Sequence, residues 1–494
     1  MTVSELDKGR GLNVEENLLF EKGTNGACGV DLPEPKNTPL RTGFAARDYV
    51  GLPEVSEPQV MRHFVRLSKL NYAIDSGLYP LGSCTMKHNP RLNEKVSRLP
   101  GFAGIHPLQP EGTIQGALEV IYTVQQWLAK LSGLPHVTLN PAAGAHGEFA
   151  GIMVIHRAHE AKGKVRKTVL IPDSAHGTNP ATAAACGYET KTIPSTKDGT
   201  VDVDAFKSML NDDVAALMLT NPNTCGLFEP RVKEIADVLH KAGAYFYCDG
   251  ANFNALVGRI RPADFGVDVM HFNLHKTFST PHGGGGPGCG PIAVSAELAP
   301  YLPVPKIVKE KDAYKLVTED KDSIGRLKGF NGQFGMAVRA LAYMMSHGSD
   351  GLRQVAEDAV LNANYILSQL RDQYHVPFPG HCMHECLLTD KLQKDKGVTT
   401  NDIAKTLIEY GIHPMTVYFP LVVQGAMLIE PTETETKASL DHFIAVMKMI
   451  AEQTIAGNSA ALQNNPVSSP RRRLDEVQAA RNPVLKWTAK DTAA

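Results

Sequence analysis

The chain of 494 residues lacks the sequence features of membrane, secreted and nucleic-acid-binding proteins. No apolar run approaches the ~18 residues of a membrane-spanning helix, and the N-terminus mixes acids and bases without the apolar segment of a secretory signal. The formal net charge is −2, and the longest basic run, residues 471–473, is followed closely by acidic residues. Nucleic-acid-binding proteins usually carry a basic face or stripe. We therefore expect neither a membrane nor a nucleic-acid partner.

The eight cysteines are scattered along the chain, and most have apolar neighbours. A disulfide framework is typical of short secreted chains, so this pattern indicates reduced thiols and a cytoplasmic location. The segment HCMHEC, residues 381–386, contains metal-ligand residue types. No second cluster at zinc spacing completes a set of four ligands. We therefore predict that no metal is bound there.

From about residue 113, short apolar runs alternate with stretches of helical periodicity. Continuous apolar strands separated by helices are typical of a mainly parallel sheet covered on both faces. We predict an α/β fold with a large domain at residues 111–332 and a smaller α+β domain at residues 333–456. Residues 1–110 are expected to form an irregular N-terminal arm, and residues 457–494 an extended C-terminal tail.

A polar, glycine-bearing loop follows each of five predicted strands. Ligands bind beyond the carboxyl ends of the strands in such sheets, so these loops should converge on one rim. In chain order the loops are NPAAGAHGE (residues 140–148), DSAHGTNPA (173–181), NPNTCG (221–226), DGAN (249–252) and NLHKTFSTPHGGGGPG (273–288).

The last of these loops carries a lysine and four consecutive glycines. Such a segment can supply an oxyanion hole, cradle a phosphate, hold a carbonyl cofactor as a Schiff base, or be a plain surface loop. The chain has neither the G-x-S-x-G motif of an esterase nor the G-x-x-x-x-G-K-[ST] motif of a triphosphate site. The Schiff-base hypothesis is favoured over these two, with the glycines allowing backbone to approach the cofactor closely.

Pyridoxal phosphate needs partners that the predicted rim contains. Lys276 is the expected covalent anchor, and Asp249 can keep the pyridine nitrogen protonated. The alternative for Asp249 is a helix cap or turn residue, and the role at the ring nitrogen is favoured over it. His176 is our first choice to pack against the ring, with His146 as the alternative. The predicted catalytic residues are Lys276, His176 and Asp249.

The remaining cofactor contacts are assigned to the same loops. Backbone N–H groups at a helix N-terminus suit the phosphate, and either of two polar residues in NPNTCG can contact the ring hydroxyl. The predicted set, besides the three catalytic residues, is Ala143, Gly144, Ala145, Asn223, Thr224, Ala251, Asn273 and His275.

Eight stretches carry a family resemblance: YPLGSCTMK, PAAGAHGE, IPDSAHGTNPA, LTNPNT, DGAN, NLHKTFSTPHGGGGPG, IEPTETE and RRLDEVQAARNPVLKW. Together they resemble the second subunit of the glycine cleavage system P-protein, glycine dehydrogenase (decarboxylating) subunit 2. The resemblance implies the aspartate-aminotransferase-like fold (fold type I), with pyridoxal phosphate bound covalently at Lys276. It also implies a homologous subunit 1 in a two-plus-two heterotetramer, and a lipoylated H-protein.

The reaction implied by the resemblance is decarboxylation of glycine. Carbon dioxide is released, and the aminomethyl group passes to the lipoyl arm of H-protein, so lipoate is a substrate arm. Ser83, Cys84 and Thr85 are candidates for contacting glycine if the N-terminal arm folds back into the site. Two alternatives stay open: another pyridoxal-phosphate amino-acid decarboxylase or transferase, and a cofactor-holding subunit that is inactive without its partner.

Overall fold

The computed structural model describes residues 16–33, 51–282 and 288–488. Contacts between residues divide the chain into two compact units, Met1–Ser76 with Asn464–Ala494, and Gly77–Gln463. Within the described ranges, no helix combines the length and apolar character needed to cross a lipid bilayer.

The regular elements alternate along most of the chain. The helices are α1 (Glu57–Leu70), α2 (Arg91–Ser97), α3 (Pro100–Ala103), α4 (Gln115–Ser132), α5 (Gly144–Ala161), α6 (Thr178–Ala185), α7 (Val203–Met209), α8 (Val232–Lys241), α9 (Leu274–Thr277), α10 (Phe334–Leu370), α11 (Lys391–Lys394), α12 (Thr400–Glu409), α13 (Lys437–Ile455), α14 (Ser459–Asn464) and α15 (Glu476–Arg481). The strands are β1 (His136–Thr138), β2 (Thr168–Pro172), β3 (Glu189–Ile193), β4 (Val214–Thr220), β5 (Tyr245–Gly250), β6 (Val269–Phe272), β7 (Ile292–Val294), β8 (Lys306–Glu310), β9 (Ala313–Val317), β10 (Cys386–Thr389), β11 (Thr416–Val417) and β12 (Ala426–Ile429).

The first unit contains a helix in a region that the sequence analysis treats as irregular. α1 begins after Ser56, whose backbone N–H and hydroxyl both donate to Gln59 Oε1, at 2.8 and 3.0 Å. This is a capping box, and Pro58 in the first turn further favours helix initiation. The sequence analysis does not predict this helix, because proline also favours irregular chain, and here it lies in the first turn of a helix instead. In the same unit, the rings of Phe20 and Trp487 stack with centroids 5.0 Å apart.

The second unit is built on a seven-stranded sheet with the order β1-β7-β6-β5-β4-β2-β3. β7 runs antiparallel to both of its neighbours, whereas the remaining pairs are parallel. The predicted mainly parallel sheet is therefore confirmed. β3 and β7 were not predicted, because β3 is largely exposed and polar and β7 has only three residues.

The central strands bury side chains on both faces of this sheet. Leu217 and Leu219 pack on one side with α4, α8 and the first half of α10. Ala216 and Met218 pack on the other side with α5 and α6. Because successive side chains of a strand point to opposite faces, burial of both sets explains why these strands read as continuous apolar runs.

A three-stranded antiparallel sheet with the order β10-β12-β11 forms the α+β part of the second unit. Its apolar side chains pack against the second half of α10, α12 and α13. Leu81 makes an isolated antiparallel bridge with Ile429, so the chain just before Gly82 runs beside β12. Held by this contact, the segment at the start of the second unit reaches the carboxyl ends of the parallel strands.

Candidate active site

A cavity of about 280 Å³ lies at the carboxyl ends of the parallel strands. Each of the five loops that follow a predicted strand contributes to its lining. The predicted residues among the lining are Ser83, Ala143, Gly144, Ala145, His176, Thr224, Asp249, Ala251, Asn273, His275 and Lys276. Further lining residues that the sequence analysis missed are Glu148, Thr178, Thr220, Asn252 and His271.

Lys276 lies in the short helix α9, directly after β6. Its Nζ donates a hydrogen bond of 2.7 Å to the backbone oxygen of Ser83. Ser83 and Thr85 both have left-handed backbone conformations, with φ of +60° and +49°. Such conformations cost about 1–2 kcal/mol per non-glycine residue, so the turn at residues 83–85 needs tertiary contacts to hold it.

Asp249 ends β5 and is buried. Its Oδ2 accepts from Asn179 Nδ2 at 3.0 Å, and its Oδ1 accepts from the backbone N–H of Ala251 at 2.9 Å. His271 Nε2 lies 3.3 Å from Oδ1. Burial alone would raise the pKa of Asp249, but His271 and the two donors outweigh burial and lower the pKa below its usual value. Asp249 therefore remains a carboxylate.

His271 is positioned by the register of neighbouring strands, in which Asp249 of β5 pairs with His271 of β6. Its Nδ1 lies 2.7 Å from the hydroxyl of Tyr247. Burial lowers the pKa of His271 despite the nearby carboxylate. The ring, held by Tyr247, lies beside the Asp249 carboxylate and orients it.

Glu148 lies one helical turn after Gly144 on α5, so both face the cavity. Its carboxylate accepts from the hydroxyl of Thr178 at 2.9 Å and from Asn179 Nδ2 at 3.0 Å. Burial and the charge of Asp249 raise the pKa of Glu148 to about 7. Asn179 thus bridges two carboxyl groups, of which Asp249 keeps its charge and Glu148 binds the proton more readily.

Because Glu148 binds a proton more readily than usual, the free energy of unfolding of the chain should depend on pH. The folded pKa of Glu148, about 7, exceeds its usual value of 4.5, so its stabilising contribution is complete below about pH 4.5 and is lost as the pH rises through about 7. Glu148→Gln should remove about 3 kcal/mol of pH dependence, because each unit of the rise from 4.5 to about 7 corresponds to about 1.36 kcal/mol. Urea unfolding at pH 5, 6, 7 and 8 measures it, with Glu160→Gln on the same helix as the control. Parallel stability curves for wild type and Glu148→Gln would contradict the assignment.

The N-terminus of α5 faces the cavity without a capping side chain. The first backbone N–H groups of a helix have no partner within the helix and attract anions. A Cβ at Gly144 would lie 2.3 Å from Asn273 Oδ1, and one at Gly290 would lie 2.0 Å from the oxygen of Ala143. Only glycine allows this close approach of loops, which leaves the helix end open to a phosphate-sized anion.

The cavity also contains buried polar atoms that lack hydrogen-bond partners within the described protein. Thr220 Oγ1, Asn252 Oδ1 and Asn273 Oδ1 are three such atoms. Buried polar groups are normally paired, so unpaired atoms in a cavity indicate a polar ligand. Together with a lysine amine, a carboxylate, an imidazole and a helix N-terminus, they fit pyridoxal phosphate.

Sequence comparisons identify the family. A profile of the glycine dehydrogenase C-terminal domain matches residues 355–470. A Caulobacter vibrioides protein named as glycine dehydrogenase (decarboxylating) subunit 2 is 58% identical over 487 residues, covering 97% of this chain and 93% of the relative. The chain belongs to the glycine dehydrogenase (decarboxylating) subunit 2 family. A relative of the same name from Listeria innocua is 51% identical, covering 96% of this chain and 99% of its own. The predicted family and enzyme are confirmed.

Solved structures agree with this fold. The inhibitor-bound glycine decarboxylase (P-protein) of the glycine cleavage system superposes with a TM-score of 0.68 at 21% identity, covering 85% of this chain and 91% of that one. A cysteine desulfurase from Thermococcus onnurineus superposes with a TM-score of 0.61 at 15% identity, covering 78% and 98%. At these identities the likeness concerns the fold, and it confirms the predicted fold type I.

Four residues that the sequence analysis names as site candidates do not line the cavity. His146 accepts the N–H of Ala142 at 3.2 Å, which leaves His176 as the lining histidine of the pair. The Asn223 side chain accepts from two backbone N–H groups of its own loop and donates to Gly199. Cys84 and Thr85 also lie outside the lining. Hydrogen bonds outside the cavity hold His146 and Asn223 locally, whereas Thr85 is held by the distant Glu430.

Hydrogen bonding and burial limit the chemical roles of two other predicted residues, Thr224 and His275. The Thr224 hydroxyl donates to the backbone oxygen of Ser174, so towards the cavity it is left to accept rather than to donate. Burial, together with the nearby His282 and Lys276, lowers the pKa of His275 to about 3. His275 is therefore neutral. The glycine run at residues 283–286 lies outside the described residues.

Proposed function

We propose that pyridoxal phosphate binds covalently to Lys276 and that this cavity decarboxylates glycine. The supporting observation is that Lys276, Asp249 and the uncapped N-terminus of α5 line one cavity in a chain of the glycine dehydrogenase family. When bound, the cofactor supplies a conjugated ring that accepts the electron pair left by departing carbon dioxide. Residues of this chain would bind and orient the cofactor and transfer the protons.

The proposed roles follow from the hydrogen bonds. The Asp249 carboxylate, oriented by Asn179 and His271, holds a proton on the ring nitrogen. The N–H groups at Gly144 and Ala145 bind the phosphate, and the His176 imidazole packs against the ring. Lys276 anchors the cofactor and donates or accepts a proton at the substrate carbon after carbon dioxide has left.

The glycine end of the proposed site is formed by the turn at residues 83–85. Ser83 is the one member of the predicted substrate trio that lines the cavity, and no arginine appears among the lining residues of the described chain. A tight clamp on the carboxylate would stabilise the ground state and slow its loss. The Ser83 hydroxyl makes only a long contact with Glu385, 3.3 Å, so its proton can turn to the glycine carboxylate and orient it without holding it strongly.

The proposed partners follow from the family. Its members are named as a second subunit, which supports assembly with a homologous subunit 1. We propose that the two form a two-plus-two heterotetramer in the cytoplasm. We further propose that the acceptor of the aminomethyl group is the lipoyl arm of H-protein. Under this proposal the isolated chain binds the cofactor but turns over fully only in the assembled enzyme.

Exchange of labelled carbon dioxide into glycine tests the reaction and the partners together. The chain is assayed alone, with subunit 1, with lipoylated H-protein, and with both, and H-protein without lipoate is the matched control. We expect exchange to require subunit 1 and to rise with lipoylated H-protein only. Exchange that is indifferent to lipoate would point to a different amino-acid decarboxylase. Absence of exchange in the complete mixture would contradict the proposed reaction.

A further inference from the structure

Two glutamates of the small sheet hold the turn at residues 83–85. Glu385 lies just before β10 and Glu430 just after β12, and these strands pair so that Cys386 faces Ile429. The N–H of Ser83 donates to Glu385 Oε2 at 2.8 Å, and its hydroxyl lies 3.3 Å from the same oxygen. The N–H of Thr85 donates to Glu430 Oε2 at 2.9 Å, and its hydroxyl donates to Oε1 at 2.6 Å. Each carboxyl group therefore engages both the backbone and the side chain of one turn residue.

The burial of this arrangement makes it unusual for a structural loop. Glu385 and Glu430 are both 0% exposed, and buried carboxyl groups are costly unless they are well paired. Ser83 and Thr85 have left-handed backbones, and a Cβ at Gly82 would lie 2.4 Å from Leu428 Cγ. A turn this constrained keeps its shape only while both glutamates hold it, which argues that its shape serves the site.

The turn is also fixed on the side of the catalytic lysine. Lys87 is buried, forms a 2.7 Å ion pair with Glu433, and donates to the backbone oxygen of Thr277 at 2.8 Å. Thr277 is the residue that follows Lys276. The segment after the turn is thus tied directly to α9, and the distance between the turn and Lys276 is set from both ends.

The Lys276 amine meets this turn at the backbone oxygen of Ser83, 2.7 Å away. We propose that Glu385 and Glu430 are positioning residues, and that the turn they hold receives the Lys276 amine when the amine of glycine displaces it from the cofactor. This inference rests on the proposed function. In the displacement, the nitrogen of glycine would form the double bond to the cofactor carbon that the lysine nitrogen gives up, and the two protons lost by the glycine amine would pass to the lysine amine. The freed lysine then donates an N–H to Ser83 and stays beside the substrate carbon, where a proton must be delivered.

The two glutamates differ in what a substitution should do. Burial and the neighbouring Glu430 raise the pKa of Glu385 well above its usual value, which favours its neutral form. Glutamine is a neutral isostere of that form and retains an oxygen that can accept from Ser83. Glu385→Gln should therefore preserve the turn, whereas Glu385→Ala removes both oxygens that accept from Ser83.

Labelling of Lys276 tests the turn without any cofactor. The full chain, freed of pyridoxal phosphate, is treated with an amine-acetylating reagent, and modification of the Lys276 peptide is followed by mass spectrometry. We expect Glu385→Ala and Glu430→Ala to speed modification by roughly tenfold, the scale expected from losing hydrogen bonds to a carboxyl group. Glu385→Gln should react like wild type. Asp390→Ala is the matched control, because Asp390 lies at the other end of β10, is buried, and accepts the N–H of Thr400 at 2.9 Å.

Steady-state kinetics of the assembled enzyme give the second readout. Glu385→Ala should lower kcat by about tenfold while changing KM for glycine less than about twofold, because the contact of Ser83 with the glycine carboxylate is weak, whereas the displaced lysine depends on the turn directly. Glu385→Gln should restore kcat. Should Glu385→Ala fail to fold by circular dichroism, Thr85→Val, which removes one donor to Glu430, takes its place with a smaller effect of the same sign.

Two results would overturn the inference. One is labelling of Lys276 at the wild-type rate in correctly folded Glu385→Ala and Glu430→Ala, or in Thr85→Val used in their place. The other is an equal effect of Asp390→Ala, which would mean that general loosening of the small sheet explains the change. Failure of the proposed function is distinguishable, because it would appear as missing glycine exchange in wild type while the labelling differences persist.

Discussion

Replacement of Lys276 by alanine should abolish glycine decarboxylation, with a loss of roughly 10²–10⁴-fold or more, the range for removing a positioned acid–base group. The anchor of the cofactor is lost with the same atom. Carbon dioxide exchange in the assembled enzyme measures the loss. Lys309→Ala is the control, because Lys309 lies on β8 over the ring of Tyr314 and outside the cavity lining.

Trapping identifies the lysine directly. Borohydride reduction of wild-type protein followed by peptide mapping should place the pyridoxyl group on Lys276, and Lys276→Ala should give no label at that peptide. Circular dichroism checks that the variant is folded. A label on Lys309 or Lys328 in wild type would refute the assignment of the anchor.

Asp249→Asn should slow decarboxylation by about 10²–10³-fold, the scale of removing one preorganised electrostatic contact, while the protein still folds and binds much of its cofactor. The amide cannot hold a proton on the ring nitrogen as a carboxylate does. The lowered pKa of Asp249 means that its stabilising contribution is present above its usual pKa and is lost as the pH falls through the lower folded value. Wild-type activity should therefore not fall through titration of Asp249 near neutral pH.

A matched control for Asp249 is available on the neighbouring strand. Asp268 precedes β6, and its Oδ2 accepts the backbone N–H of Phe246 at 2.8 Å, yet it does not line the cavity. Asp268→Asn should leave turnover nearly unchanged, as measured by carbon dioxide exchange. Near-normal exchange in Asp249→Asn would show that another group protonates the ring.

The loops of the site could be predicted because the rule behind them is local. Each apolar run ends in polar residues, and parallel strands bring those ends to one rim. The sequence analysis does not name Glu148 and His271, although a similar local rule identifies both. Glu148 lies four residues after Gly144, one helical turn away, and His271 lies two residues before Asn273, on the same strand face. Periodicity applied from a known site residue would have found both.

Glu385 and Glu430 could not be found in this way. Their hydrogen bonds to Ser83 and Thr85 span 302 and 345 residues of sequence. Nothing in the local pattern of HCMHEC or IEPTETE indicates which distant turn these carboxyl groups will meet, because that pairing depends on how β10 and β12 are placed in the fold. Sequence reasoning predicts no zinc site at HCMHEC, and it had no means of predicting the contact of this segment with the turn.

The pairing of Phe20 with Trp487 has a consequence for how the molecule is made. The first unit draws on both ends of the chain, so a ribosome has synthesised all of the second unit before Trp487 exists to stack on Phe20. Domains generally fold as units during synthesis, N-terminal parts first. The second unit can therefore fold its hydrophobic cores before Trp487 is available to pack on Phe20. The first unit is the last of the two to fold.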